Sequence, residues 1–221
     1  MAINKEKYKE IIAELGDNTL VAVSKTKPVD DIQELYNLGQ RHFGENYVQE
    51  LADKQTRLPA DIHWHFIGHL QTNKVKQIAP FVYLIHGVDS LKLLQEINKQ
   101  AAKLAIVINV LLQVHIAKEE TKFGLDEQEL DAIFSNGGSQ LQPLQHICIK
   151  GFMGMASFTT DSNSIQQEFS HLKSLFDKYA QLKAPNTHFD SLSMGMSSDY
   201  KIAINAGSNM VRIGSLLFGA R

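Results

Sequence analysis

Lys25 is the residue whose type and position carry the most chemistry in this sequence. It follows the apolar run Thr19–Ser24 and shares the side-chain parity of Val21 and Val23. If that run is a buried strand, the Lys25 amine reaches the interior, where burial disfavours the ammonium and favours the neutral nucleophile. A neutral lysine amine can condense with an aldehyde to form a Schiff base. The alternative is a lysine that extends its charge to the solvent-exposed rim.

A second group of polar residues lies near the end of the chain and has the character of an anion site. The segment MVRIGSLLFG places Arg212 near the end of an apolar run, with Gly214 and Ser215 directly behind it. A glycine lets the backbone approach an anion closely, and the neighbouring N–H and hydroxyl groups can donate to it. The preceding loop, Ser193–Ser197, offers similar groups. Both loops could be ordinary tight turns, but together they predict a phosphate site.

These two groups of residues indicate one kind of ligand. A lysine nucleophile and a phosphate site suit a small molecule that carries both an aldehyde and a phosphate, as pyridoxal 5′-phosphate (PLP) does. Lys27, which precedes Pro28, is expected where the chain leaves the strand and is predicted to be solvated. Asp199 is expected to cap the helix that follows the Ser193–Ser197 loop.

The elements that must position these residues alternate regularly between strand and helix. An amphipathic helix at the N-terminus precedes the first strand. The predicted strands are Thr19–Ser24, Arg41–Gly44, His63–Gly68, Phe81–Gly87, Ala105–His115, Ile147–Met153, His188–Ser193 and Met210–Ile213. The predicted helices are Asp30–Leu38, Asn46–Gln55, Gln71–Ile78, Ser90–Lys103, Asp126–Phe134, Ser164–Leu182 and Asp199–Asn205.

Eight strand–helix units predict a single closed (β/α)8 barrel over residues 1–221, with an open doubly wound sheet as the alternative. Sites in such barrels lie at the carboxyl ends of the strands, which is where Lys25 and Arg212 are expected. The helix caps are predicted at Asp30-Asp31 and at Asp89-Ser90.

Composition limits the classes of function. The 221 residues carry a formal net charge of −2, which gives no general attraction to nucleic acid or to an acidic membrane. We find no continuous apolar segment typical of a signal peptide or of a membrane span. The single cysteine, Cys148, excludes an internal disulfide and suits a reducing compartment, so a cytoplasmic protein is expected.

Several sequence blocks, in the same order, resemble the YggS/PROSC family of pyridoxal phosphate homeostasis proteins. The blocks are LVAVSKTKP, GQRHFGENYVQE, HWHFIGHLQTNKVK, ETKFGL, GFMGMASFT, SMGMSSDYKIAINAGSNMVRIG and LLFG. The resemblance implies a TIM-type barrel with the PLP fold of the alanine racemase N-terminal domain, without the second, β-rich domain of that enzyme. It covers nearly the whole chain.

The resemblance also implies roles for individual residues. Lys25 would form the Schiff base, Arg212 would face the pyridine nitrogen, and Asn46 would line the pocket. The residues implied at the phosphate are Ser193, Met196, Gly214 and Ser215. Ser215 stands where the family pattern has threonine, a replacement that keeps the hydroxyl.

The function implied by the resemblance is to carry or buffer PLP, with apo PLP-dependent enzymes as recipients and a monomer expected. An arginine that cannot give up its proton would keep the pyridine nitrogen unprotonated and the cofactor a weaker electron sink. With no β-rich domain to supply a second acid/base group, we expect no robust catalysis. Lys122, in the ETKFG segment, could neutralise an anion at the mouth or be a solvated loop residue.

Two other functions remain open from the sequence. A PLP-dependent amino-acid racemase or lyase on the same barrel would need a second acid/base group, for which Tyr47 and Tyr200 are candidates. We expect instead that Tyr47 packs and that Tyr200 lies on a helix surface. A metal-dependent hydrolase could use His63 and His65, which share one strand face.

Overall fold

The strands of the computed structural model form a closed, all-parallel barrel in chain order. The structure describes residues 3–119 and 123–219. The strands are β1 (Thr19–Val23), β2 (His42–Glu45), β3 (His63–Phe66), β4 (Leu84–Val88), β5 (Ile108–Gln113), β6 (Ile147–Met153), β7 (Thr187–Met196) and β8 (Met210–Ile213). Closure by pairing of β1 with β8 confirms the predicted (β/α)8 barrel over the open sheet.

Helices follow the strands and cover the outside of the barrel. They are α1 (Lys5–Leu15), α2 (Val29–Asn37), α3 (Val48–Arg57), α4 (Val75–Ile78), α5 (Leu91–Lys103), α6 (Glu127–Gly138), α7 (Ser162–Ala180), α8 (Tyr200–Asn205) and α9 (Ser215–Phe218). The helix predicted at Gln71–Ile78 is instead a 3₁₀ turn over Thr72–Lys74 followed by the short α4. The sequence did not predict α9, because four residues are too few to display a helical period.

One difference at the strand ends bears on the site. Strand β7 extends to Met196, three residues beyond its predicted end, so most of the loop expected at Ser193–Ser197 is strand. The extension is held by pairing with β8, where Met196 lies opposite Arg212. Pairing with a distant partner is a tertiary effect that local sequence pattern does not reveal.

Of the helix caps predicted at Asp30-Asp31 and at Asp89-Ser90, the structure has the second. Ser90 caps α5 by accepting a hydrogen bond from the Leu93 N–H. The cap predicted at Asp30-Asp31 is wrong, because α2 begins directly after Pro28 and both aspartates lie in its first turn. Proline sets a helix-compatible φ and needs no donor at this position.

The barrel interior is only partly apolar. Val21, Leu84, Leu111, Met153 and Met210 form a buried cluster inside the barrel. A larger core lies between the strands and the helices, and there the predicted apolar stripe of α7 is buried. The interior also contains buried polar residues, among them His65, His86, Ser193 and Arg212. Within the described ranges, no helix is both long and apolar enough to cross a membrane.

Candidate functional site

A cavity of about 360 Å³ opens at the carboxyl end of the barrel, where the polar residues were expected. Its volume is typical of a site for one small molecule. Six of the seven predicted binding residues line it, namely Lys25, Asn46, Met196, Arg212, Gly214 and Ser215. The cavity is also lined by Val23, Lys27, Ile67, Met155, Ser197, Ser198 and Gly219.

Lys25 reaches this cavity from a turn rather than from the strand. Strand β1 ends at Val23, and the Lys27 N–H donates to the Ser24 carbonyl at 3.0 Å to close the turn. Thr26, within the turn, has a φ of +63°, which is unfavourable for a β-branched residue. Such strained residues are frequent at functional sites. Strand parity therefore placed Val21 correctly, but the turn is what directs Lys25 into the cavity.

Lys27 is not the solvated residue that the sequence predicted. Its ammonium donates to the carbonyl oxygens of Phe218 at 2.9 Å and Gly219 at 3.4 Å. Carbonyls at the end of a helix have no intrahelical partner and carry partial negative charge, so they attract a cation. Lys27 therefore joins the Lys25 turn to the end of α9 and forms one wall of the cavity.

A buried ionic cluster, formed by Glu45, Lys54 and Glu50, lies behind the Lys25 turn. Lys54 donates to Glu45 at 2.8 Å, to Glu50 at 2.6 Å and to the Ser24 carbonyl at 2.8 Å. Glu45 also accepts from the Ser24 hydroxyl at 2.6 Å, and Glu50 accepts from the Thr26 N–H at 2.6 Å. Burial raises the pKa of the Glu45 carboxyl, against the lowering effect of Lys54.

The ionic cluster holds the residues on both sides of Lys25, and it was not predicted from the sequence. The available signal was the Glu50–Lys54 pair, whose i,i+4 spacing places both side chains on one face of α3. That spacing alone predicts an exposed pair. The structure instead buries Lys54 and leaves the Glu45 side chain with no exposed surface.

Arg212 lies at the floor of the cavity with its guanidinium held by the barrel. It donates to the Ser193 carbonyl at 2.8 Å, to the Ser193 hydroxyl at 2.7 Å and to the Gly154 carbonyl at 3.0 Å. Burial lowers the pKa of Arg212 to about 10, and Asp199 opposes that shift. The guanidinium is therefore charged at neutral pH.

Ser193, which was predicted at the phosphate, lies behind the cavity lining. It is fully buried, does not line the cavity, and its hydroxyl contacts Arg212 and His86. The extension of β7 is the reason, since it keeps Ser193 on a strand inside the barrel. The hydroxyls that do face the cavity from this segment are those of Ser197 and Ser198.

The expected cap at Asp199 is also different. Its carboxylate accepts from the Met196 N–H at 2.6 Å, and no described residue of α8 donates to its side chain. Asp199 therefore closes the turn after β7 rather than capping α8. Gly195 is required at the end of β7, just before this turn, because its φ is +96° and an added Cβ would lie 2.5 Å from the Ala203 Cβ.

The two loops expected to bind phosphate lie side by side at the cavity. The Gly214 N–H donates to the Ser197 hydroxyl at 3.3 Å, which brings the β7 and β8 loops together. Ser198 and Ser215 are exposed at the mouth. Grouped hydroxyl and N–H donors on close loops are suited to an anion.

Asn46 gives a direct test of whether the cavity is built for a ligand. Its Oδ1 is buried yet has no hydrogen-bond partner among the described residues. Buried acceptors are rarely left unpaired, and because Asn46 lines the cavity, a ligand donor can complete this one. The backbone of Asn46 packs against Gly68, where an added Cβ would lie 2.4 Å from the Asn46 carbonyl oxygen. The cavity thus fits a small molecule with a hydroxyl, an anionic group and an electrophile for Lys25.

The candidates for a racemase do not reach the cavity. Tyr47 is 54 % exposed and does not line it, so the expectation that Tyr47 packs is wrong. Tyr200 is buried rather than on a helix surface, and its hydroxyl donates to Glu14 of α1 at 2.6 Å. Burial, together with Glu14, raises the pKa of Tyr200 to about 12. Lys122 lies outside the described residues.

The histidines of the metal hypothesis contact one another instead of converging on a point. Within residues 3–119 and 123–219, no group of three or more His, Cys, Asp or Glu is placed to hold a metal ion. His65 Nε2 lies 2.8 Å from His42 Nδ1, and His65 Nδ1 lies 2.8 Å from His86 Nε2. Ring nitrogens paired in this way are not available as metal ligands.

These histidines predict a loss of stability in mild acid. Burial, with a contribution from His63, lowers the pKa of His42 to about 4. The unfolded chain, with an ordinary histidine pKa of about 6.5, then binds more protons than the folded chain below pH 6.5. Stability is therefore complete above pH 6.5 and falls as the pH decreases toward 4. For a fully buried histidine, lowering the pH by 1.5 units to pH 5 decreases the free energy of unfolding by about 2 kcal/mol. The partial exposure of His42 reduces this decrease to about 1 kcal/mol.

Urea unfolding at pH 7 and pH 5 measures this effect. Between pH 7 and pH 5, the free energy of unfolding of His42→Gln is expected to decrease by about 1 kcal/mol less than that of the wild type. His171→Gln, at an exposed histidine paired with Glu127, is the matched control and should keep the wild-type difference. An identical pH dependence in wild type and His42→Gln would contradict the prediction.

Comparison with known proteins agrees with this geometry. The profile of the alanine racemase N-terminal domain family matches residues 2–221. A pyridoxal phosphate homeostasis protein of Pasteurella multocida is 41 % identical over 207 residues, covering 91 % of this chain and 86 % of the relative. The chain belongs to the pyridoxal phosphate homeostasis protein family. The homeostasis protein of Escherichia coli K12 is 40 % identical over 207 residues, covering 92 % of this chain and 86 % of that relative.

Solved structures place the family within a wider fold. PipY of Synechococcus elongatus, solved with PLP bound, is 36 % identical with a TM-score of 0.87, covering 97 % of this chain and 99 % of PipY. Alanine racemase of Bartonella henselae is 16 % identical with a TM-score of 0.72, covering 97 % of this chain and 57 % of the racemase. At that identity the likeness shows a shared fold alone.

Proposed function

We propose that this protein binds PLP in the carboxyl-end cavity and carries or buffers it for other proteins. The observation that carries the proposal is that Lys25, Arg212 and the two loops that contain Ser197 and Ser215 converge on one cavity. When bound, PLP supplies an aldehyde that reacts reversibly with a lysine amine, together with an anionic phosphate. The names of the relatives and the bound state of PipY support the choice of this cofactor.

The residues of this chain have separate tasks in holding the cofactor. Lys25 provides the amine, and the turn that carries it is fixed by the ionic cluster. Asn46 provides an unpaired acceptor at the side of the cavity. Ser197, Gly214 and Ser215 provide donors for the phosphate, and the Met196 side chain covers part of the cavity. Arg212 provides a fixed positive charge at the floor.

The carrier function is favoured over catalysis by the groups that line the cavity. Among the described residues, its titratable side chains are Lys25, Lys27 and Arg212. Arg212 keeps its proton at neutral pH, and the Lys27 ammonium is bound to two carbonyls. Racemisation needs a proton removed on one face and returned on the other, and this arrangement lacks a suitable second group. Met196, Ser198 and Ser215 are exposed at the mouth, so the cofactor can exchange.

The test is a transfer experiment with the purified protein loaded with PLP. We expect PLP to pass to an apo PLP-dependent enzyme and restore its activity, while alanine, serine, ornithine and lysine are not turned over at a measurable rate. A steady-state rate near the ~10 s⁻¹ typical of enzymes would make the protein a catalyst instead.

Pyridoxal, which lacks the phosphate, is the matched control ligand. Charge-assisted hydrogen bonds contribute about 1.5–3 kcal/mol each, so losing two of them should weaken binding at least ~100-fold. Equal affinities of the protein for PLP and pyridoxal would show that the two loops that contain Ser197 and Ser215 do not hold a phosphate.

A further inference from the structure

A continuous row of hydrogen-bonded side chains runs through the barrel interior to the floor of the cavity. From the cavity inward, Arg212 Nη1 donates to Ser193 Oγ at 2.7 Å, and Ser193 Oγ lies 3.1 Å from His86 Nδ1. His86 Nε2 lies 2.8 Å from His65 Nδ1, and His65 Nε2 lies 2.8 Å from His42 Nδ1. We call these five residues the histidine chain.

The histidine chain ends at the opposite end of the barrel. His42 Nε2 lies 3.3 Å from His63 Nδ1, and the His63 ring stacks on Tyr83 with centroids 4.2 Å apart. His42 and Tyr83 line a second, smaller cavity of about 270 Å³ at the amino ends of the strands. The histidine chain thus spans the interior between the cavities at the two ends of the barrel. In barrels of this type, that region is mostly filled by branched apolar side chains.

The direction of every hydrogen bond in the histidine chain follows from Arg212. A guanidinium can donate but cannot accept, so Ser193 Oγ accepts from Arg212. Among the described residues, the remaining acceptor near the Ser193 hydroxyl hydrogen is His86 Nδ1. If His86 donated to Ser193 instead, that hydroxyl hydrogen would be buried without a partner, which disfavours the reversed arrangement about tenfold or more.

This direction then passes along the neutral imidazoles. Burial lowers the pKa of both His65 and His86 well below the usual range, so each ring carries one N–H and one acceptor nitrogen. With His86 Nδ1 accepting, His86 Nε2–H donates to His65 Nδ1. His65 Nε2–H in turn donates to His42 Nδ1. Each ring therefore fixes the tautomer of the next.

We propose that His86, His65 and His42 are positioning residues of the cofactor site, which act as a one-directional hydrogen-bond chain that fixes the Ser193 hydroxyl and, through it, the Arg212 guanidinium. Their effect on the cofactor rests on the proposed function. The hydrogen-bond chain itself belongs to the protein without cofactor. His65 makes no contact with the cavity and acts on it through His86, Ser193 and Arg212.

Nuclear magnetic resonance of the full chain without PLP tests the hydrogen bonds. In protein labelled with ¹⁵N at its nine histidines, we expect a through-hydrogen-bond ¹⁵N–¹⁵N coupling from protonated His86 Nε2 to His65 Nδ1. A second coupling is expected from protonated His65 Nε2 to His42 Nδ1. Histidines that are merely packed together give neither. The absence of both couplings, or a proton on His86 Nδ1, would overturn the proposal.

Variants at His65 test the effect on the cofactor. His65→Met removes both hydrogen bonds at similar length, and we expect PLP to bind about tenfold more weakly with a shifted absorption maximum. His65→Gln keeps a donor and an acceptor and is expected to restore most of the affinity and the wild-type spectrum. His171→Gln, at an exposed histidine, is the control.

The outcomes separate the two proposals. If wild-type protein failed to bind PLP, the proposed function would fail while the couplings in the protein without cofactor would still be measurable. If wild-type protein bound PLP and a folded His65→Met kept its affinity and spectrum, the positioning role would be wrong. If circular dichroism shows that His65→Met is misfolded, the ¹⁵N–¹⁵N couplings of the wild-type protein and the absorption spectrum of PLP-loaded His65→Gln decide. The proposal then requires both couplings and a His65→Gln spectrum that matches the wild type.

Discussion

Borohydride reduction of the PLP-loaded wild-type protein is expected to fix the cofactor on Lys25, and Lys25→Ala is expected to lose this label. The variant is also expected to bind PLP at least ~100-fold more weakly, a loss of about 2.7 kcal/mol. The reason is that the Lys25 amine lines the cavity from a turn whose flanking residues are tied to the ionic cluster. Reduction of the loaded protein, followed by fragment-ion mass spectrometry of the peptide, locates the label. A titration followed by absorbance gives the affinity.

Lys27→Ala is the matched control, because it removes the same charge two residues away in the same segment. The Lys27 side chain donates to the carbonyls of Phe218 and Gly219, and these two hydrogen bonds hold it against the end of α9. We expect Lys27→Ala to keep the label on Lys25. Finding the wild-type label on Lys27 would show that the turn presents a different lysine to the cofactor.

Lys54→Met is expected to lower the free energy of unfolding by about 3–5 kcal/mol. The substitution leaves the Glu45 carboxylate without its cation, and the Glu45 side chain has no exposed surface from which water could replace it. It also releases the Ser24 carbonyl next to Lys25, so PLP affinity should fall together with stability. Urea unfolding at neutral pH measures the first effect.

A double variant separates the charge effect from the loss of packing. In Lys54→Met with Glu45→Gln, the buried charge is gone and the amide oxygen can still accept from the Ser24 hydroxyl, so most of the lost stability should return. Arg57→Met is the matched control on the same helix. It breaks an exposed i,i+4 pair with Asp53 and should cost less than about 0.5 kcal/mol. Equal losses in Lys54→Met and Arg57→Met would contradict the importance of the ionic cluster.

The fold and much of the cavity lining could be predicted from the sequence, for a local reason. The apolar periodicity of a strand or helix is visible in neighbouring residues, and the carboxyl ends of parallel strands meet at one end of a barrel. These two facts were enough to bring Lys25, Asn46 and Arg212 to one cavity. The resemblance of sequence blocks added Met196, which no spacing argument had singled out.

The errors share a different cause. Ser193 was expected in a loop at the cavity, but pairing with β8 extends β7 and keeps Ser193 inside the barrel, so its contact with phosphate stays a prediction. Lys27 was expected in solvent, but the chain returns near its end and offers two carbonyls. In both cases the deciding partner is distant in sequence, 191 residues away for Lys27 and Phe218.

The sequence by itself determined the alternation of strands and helices in a closed barrel and the end of the barrel at which Lys25 and Arg212 lie, because each depends on periodicity or on residue type. The tertiary structure decided which buried polar groups meet. Lys54 reaches Ser24 across 30 residues, and His86 reaches Ser193 across 107. Hydrogen bonds and buried ion pairs need partners within about 3 Å, and closure of the barrel is what sets those distances.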